Sequence, residues 1–123
     1  MYKKSLAHFI FIVTLSYSSL AYTQNKFVPG IEDLPVPLNF HLKENSSSVF
    51  FNDSGRIIES TFIGVAESKN ISEFYHKTLQ ALGWKKIKNL VFIREKEILK
   101  ISLTKVKKPK KQLEVHFSLQ PQF

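Results

Sequence analysis

The sequence contains no cysteine. That excludes disulfide staples, thiolate zinc sites, a cysteine nucleophile and a lipid-modified N-terminal cysteine. Glycine is scarce, with four in 123 residues. They build no Gly-x-Ser-x-Gly elbow and no phosphate-cradling loop. Arginine is scarcer still: Arg56 and Arg94 are the only two among eighteen Lys and Arg. Phosphate-reading sites favour the bidentate guanidinium, so a lysine-dominated chain argues against one. The four histidines, His8, His41, His76 and His116, form no metal-binding pair at the usual helical spacings. No metal or other cofactor is expected. His41, His76 and His116 read as surface residues on a loop, a helix flank and the solvent side of a strand. Charge is absent from Ser5 to Asn25.

That uncharged stretch has the layout of a secretory signal peptide. Lys3 and Lys4 give a basic start, and Leu6 to Leu15 is an apolar run. Ser16 to Ala21 is small and weakly polar, and Ser19 and Ala21 place small side chains before a cut. The alternative is an uncleaved inner-membrane anchor over residues 5–25. A spanning helix needs ~20 predominantly apolar residues. Here Ser16, Ser18, Ser19, Thr23, Gln24 and Asn25 dilute the run. Residues 1–21 therefore read as a signal peptide, and the rest as an exported, periplasmic protein.

Cleavage after Ala21 leaves about 100 residues, the size of one domain. A chain of that length builds its own core without staples. Small exported eukaryotic domains lean on disulfides, so a cysteine-free one fits a bacterial cell envelope better. The formal charge is +8. A basic surface of this kind attracts anionic headgroups and other polyanions.

Residues 22–47 read as an extended, proline-containing lead-in. Pro29-Gly30 and Pro35-Val36-Pro37 block helix there. Whether this segment docks on the domain or hangs free is not set by its composition. Residues 48–120 read as the domain proper. Ser48 to Asn52 is a short strand, Asp53-Ser54-Gly55 a turn, and Arg56 to Ala66 a second strand with both faces partly apolar. Asn70 and Glu73 stand at capping-box spacing. Ile71, Phe74, Tyr75, Thr78, Leu79 and Leu82 then make an apolar stripe at helical period. Gly83 supplies a left-handed stop, so the helix spans residues 71–82. Trp84 begins the return. Strands follow at Leu90 to Arg94, Glu97 to Val106 and Gln112 to Leu119, the last two strictly alternating. The order is β-β-α-β-β-β. Hairpins dominate, so the expected fold class is α+β: a two-layer sandwich of a mainly antiparallel sheet with one amphipathic helix on one face.

The block Phe74-Tyr75-His76-Lys77-Thr78-Leu79-Gln80-Ala81-Leu82-Gly83-Trp84 resembles the Phe-Tyr-x3-Leu-x2-Leu-Gly-Trp signature of small exported domains of Gram-negative bacteria. In those chains a Phe-x-Arg strand, a short turn and a Leu-x-Ile strand follow the helix. Phe92-Ile93-Arg94 and Leu99-Lys100-Ile101 stand in those places here. The likeness covers roughly Phe50 to Leu103 and implies a fold, with no catalytic residues attached. Its structural signature is Phe74, Tyr75, Leu79, Leu82, Gly83, Trp84, Phe92 and Arg94. The lysine-rich loop and the last strand depart from it.

Packing explains that block without a ligand: Trp84 is expected to fold back on the core edge, its indole N–H reaching a carbonyl or water. Glu95 and Glu97 read as the solvated edge of a hairpin, and no pair of carboxylates has the pocket that acid–base work requires. Lys105, Lys107, Lys108, Lys110 and Lys111 form the strongest local charge feature. Export and the lack of interleaved aromatics argue against nucleic acid as their partner. An anionic membrane surface suits them better. The expectation is thus a non-enzymatic binding or accessory module of the envelope with a protein partner. The alternative is a peripheral membrane module contacting anionic lipid through the Lys107–Lys111 loop. N-terminal sequencing of the mature protein is expected to begin at Tyr22; a start at Met1 in membrane fractions would establish the anchor instead.

Overall fold

The computed structural model describes residues 26–108 and 110–122. The signal-peptide and anchor readings of residues 1–21 and 5–25 lie outside them. Two short strands open the described chain, β1 (His41–Leu42) and β2 (Ser48–Asn52). They lead into the long β3 (Gly55–Gly64), the helix α1 (Ser68–Ala81) and then β4 (Lys85–Lys88). β5 (Val91–Arg94), β6 (Glu97–Val106) and β7 (Gln112–Pro121) complete the order. The seven strands form one sheet in the order β1-β3-β7-β6-β5-β4, with β2 also paired to β3. The pairings are antiparallel. The protein is a two-layer α+β fold, as the hairpin-dominated order implied.

Register decides which side of the sheet is the core. On β3, Ile58, Ser60, Phe62 and Gly64 face inward and pair with Leu119, Phe117, Val115 and Leu113 of β7. Leu99 and Ile101 of β6 continue this face. From α1, Ile71, Tyr75 and Leu79 descend onto it. The Tyr75 ring meets Phe117 edge-on at 5.4 Å, and Phe117 meets Phe62 at 5.9 Å. The period of β3 alone could not choose between its two half-apolar faces. The helix stripe makes the choice by burying one of them.

The helix ends as its sequence demanded. Gly83 has φ 88°, and the N–H groups of Gly83 and Trp84 donate to the carbonyls of Gln80 and Leu79 at 3.2 and 2.9 Å. This is the paired closing pattern of a glycine stop. The start differs from expectation. The helix begins at Ser68, one turn before Ile71, with Glu67 at the cap and no side-chain cap bond. Asn70 and Ile71 both donate to the Glu67 carbonyl, so Asn70 sits inside the first turn and no capping box forms. The apolar stripe marks where the helix meets the core; the extra turn lies beyond that contact and left no apolar signal.

β1 and β4 also escaped sequence reading. β1 has two residues, and β4 (Lys-Lys-Ile-Lys) is exposed throughout. An edge strand with neither face buried shows no alternation.

The lead-in docks. Val28, Ile31, Leu34, Val36 and Phe40 join the same hydrophobic cluster as the helix and sheet. The buried Tyr75 hydroxyl donates to the Pro35 carbonyl at 2.8 Å, and burial pushes its pKa up. The Phe40 ring lies against Gly64, where an added Cβ would stand 2.5–2.7 Å from it. Glycine is required there by close approach. Gly64→Ala is expected to destabilise the fold by about 1–3 kcal/mol in urea titration. Adding Phe40→Leu should recover part of that loss; additive losses in the double variant would show that the ring is not the obstacle.

Candidate functional site

The chain's two arginines both act as clamps between the lead-in and the domain. Arg94 makes two hydrogen bonds to the Asp33 carboxylate, and its Nη1 also donates to the Leu82 carbonyl at the helix end. Its guanidinium lies 4.4 Å from the Trp84 ring centroid, a cation–π distance. Arg56 grips Glu97 through Nε and Nη2 at 2.8 and 3.1 Å. Its Nη1 donates to the Gly30 carbonyl at 2.7 Å. Hydrogen bonding to Glu97 raises the Arg56 pKa. A planar fork that binds a carboxylate and a carbonyl together is what lysine lacks.

The signature residues meet here, and they meet as packing. Tyr75, Leu79, Trp84 and Phe92 are buried, Leu82 is half-buried against them, and Gly83 turns the chain. Phe74 stays part-exposed with its ring 4.9 Å from Tyr75. One expectation is corrected. The Trp84 indole N–H finds no acceptor among the described residues. The ring is instead held by burial in the core cluster, with Arg94 over its face.

The open face of the sheet is mixed. Thr61 Oγ1 and His116 Nδ1 are 2.7 Å apart, and Glu59 lies 3.9 Å from His116 Nε2. Lys43 pairs with Glu114 at 3.0 Å. His41 is exposed, while His76 is half-buried beside Asn89 on the helix flank. No group of three His, Asp or Glu side chains capable of holding a metal occurs among the described residues. The same face carries an apolar band. Phe50 pairs with Ile57, and Ile98 pairs with Ile93. Gln120, the partner of Ile98, stands one residue past the Leu119–Ile58 pair and so lies between the two couples.

The β2 edge is the most exposed apolar feature. β2 pairs with β3 on one side and with no second strand among the described residues. Phe50 is 61% exposed and Phe51 72%, with Val49 and Ile57 beside them. Sequence reading placed this strand but did not single out its phenylalanines. The signal was available: consecutive residues of a strand point to opposite faces, so Phe50 and Phe51 cannot both enter one core.

The five lysines are all exposed. Lys105, Lys107 and Lys111 surround a cleft of about 400 Å³ at the end of the β6–β7 hairpin. Lys108 and Lys110 do not line it. Comparison with protein-family models, with curated proteins and with solved structures gave no match.

The Arg94 hydrogen bond holds the Asp33 carboxyl below the usual carboxylate range. Its folded pKa is therefore lower than its unfolded one. The clamp's contribution is present above the unfolded value, about 4, and is lost as pH falls through the folded value. The Tm advantage of the wild type over Asp33→Asn is expected to be steady between about pH 5 and 7 and to shrink below about pH 4. An advantage that persists undiminished in acid would show that Asp33 stabilises by packing alone.

Proposed function

We propose that this chain is an exported, non-enzymatic binding module of the bacterial envelope that takes an extended segment of a protein partner onto the β2 edge. The observation that carries this reading is an edge that no other described strand covers, carrying the adjacent phenylalanines Phe50 and Phe51. An unpaired strand edge offers a row of N–H and C=O groups to an incoming strand, and apolar neighbours add affinity. Natural edges are commonly blunted by charge, proline or a bulge. β2 (Ser-Val-Phe-Phe-Asn) has no charged residue and no proline, and its register with β3 runs without interruption. The opposite edge, β4, carries three lysines and a bulge. The incoming strand would lie beside Phe50 and Ile57 on one face and beside Phe51 on the other.

Location in the envelope is supported by the three-part pattern of residues 1–21 and by the resemblance of the Phe74–Trp84 block to small exported Gram-negative domains. A second reading, contact with anionic membrane, is favoured by the five exposed lysines gathered at one end of the β6–β7 hairpin. The edge reading has the more specific surface. Lysines scattered on a solvated tip are common, whereas adjacent exposed phenylalanines on an open edge are not.

A photo-cross-linking residue at position 51 in intact cells is expected to give an adduct with a second protein. The same residue at the exposed Glu73 position should not. Phe50→Ser with Phe51→Lys should abolish adducts formed from position 49 while changing stability by less than about 1 kcal/mol. Identical adducts from positions 51 and 73, or adducts only between copies of this chain, would sink the reading.

A further inference from the structure

The cleft at the far end of the molecule is built from two segments that meet in space. Val65, Ala66 and Glu67 connect β3 to α1, and the β6 and β7 ends close over the other side. Its apolar surface comes from Val65, Ala66, Val106 and Leu113. Leu113 is buried in the hydrophobic core, so the floor meets that core there; Val106 is half-buried and pairs with Gln112 at the end of the sheet. Val65 is 76% exposed at the mouth. Lys105, Lys107 and Lys111 also line the cleft, exposed to solvent, with Glu67 as the one acidic residue of the lining. No ion pair ties those three lysines to a carboxylate among the described residues.

An apolar floor inside a lysine rim is complementary to a molecule with a hydrocarbon body and an anionic head. The volume, about 400 Å³, lies within the range of small-molecule clefts, roughly 300–1,000 Å³. We infer that this cleft binds a single-chain anionic amphiphile, a fatty carboxylate entering as a monomer. The chain lies against Val65, Ala66, Val106 and Leu113 and the carboxylate is met by Lys107 and Lys111 at the rim. The lysine stems add apolar contact while their heads stay in water, as long basic side chains do at such boundaries. This inference is independent of the β2 edge, which lies on a different strand and carries none of these residues. It also differs from adsorption to a bilayer, since the floor belongs to a concave site rather than to a flat basic surface.

The test is calorimetric titration of the mature protein with laurate below its micellar concentration. Dodecyl maltoside, acetate and vesicles containing anionic phospholipid serve as comparison probes. Laurate is expected to bind with one-to-one stoichiometry. The uncharged maltoside should bind more weakly for want of the head contact, and acetate for want of the chain. Lys107→Gln with Lys111→Gln should weaken laurate binding by about tenfold or more. Val65→Asp should abolish it. Val65 is exposed, so that variant is expected to keep the wild-type Tm, which checks that the fold is intact. Equal affinity for acetate and laurate would overturn the inference, because the floor would then contribute nothing. Binding to anionic vesicles without binding to monomeric laurate would overturn it too, in favour of a membrane-surface role for the lysines. Unchanged laurate binding in both variants would place the ligand elsewhere.

Discussion

The fold depends on covering one apolar sheet face with too little helix. Ten-residue strands are about 34 Å long, and six strands abreast are about 24 Å wide. A helix of 14 residues is only about 21 Å long and about 10 Å across. It can shield the middle of such a face but not its margins. The rest of the cover comes from the irregular segment before β1, through Val28, Ile31, Leu34, Val36 and Phe40. This explains why the segment is rich in proline yet well anchored. The segment expected to run extended instead folds back on itself: Pro29 sits in a turn and Pro35 bridges Phe27, and the apolar residues between supply the burial.

The segment closes on itself through turn bonds, Val28 N–H to the Leu34 carbonyl and Val36 N–H to the Lys26 carbonyl among them, and is fastened to the domain from outside. That is the use made of the two arginines. Each guanidinium binds a carboxylate with two bonds and a backbone carbonyl with another, joining lead-in, helix end and hairpin. The partly buried geometry favours these pairs over ordinary surface bridges, which contribute little. The chain spends arginine on architecture, and its lysines are left at the surface. The function proposed here follows the same division. The core face is closed by helix and lead-in, and among the described residues the surface features that the proposals use are the edge at β2 and the basic cleft at the β6–β7 end.

Much of the framework was legible in sequence. β2 and β6 fall where their residue pattern placed them, and β3, β5 and β7 differ only at their ends. The glycine stop after Leu82 was readable because positive φ has a residue preference. The capping box was misread, since Asn70 and Glu73 have the right spacing but the helix starts before them. The candidate surfaces were only half legible. The lysines stood out as charge, but the apolar floor between them joins Val106 and Leu113 of the β6–β7 hairpin to Val65, which lies far from them in the chain. The exposed pair on β2 read as an ordinary apolar strand.

The sequence by itself determined the helix, the five strands other than β1 and β4, and therefore the α+β class, because those depend on local period and turn chemistry. The first of its absences, cysteine, meant that stability had to come from burial. Only the tertiary structure decided which face of β3 became core, that the proline-containing lead-in belongs to that core, and that two isolated arginines hold it there. It also decided which apolar residues were left outside. Burial is a property of what packs against a residue, and no period along the chain records that Phe50, Phe51 and Val65 stay largely exposed among the described residues.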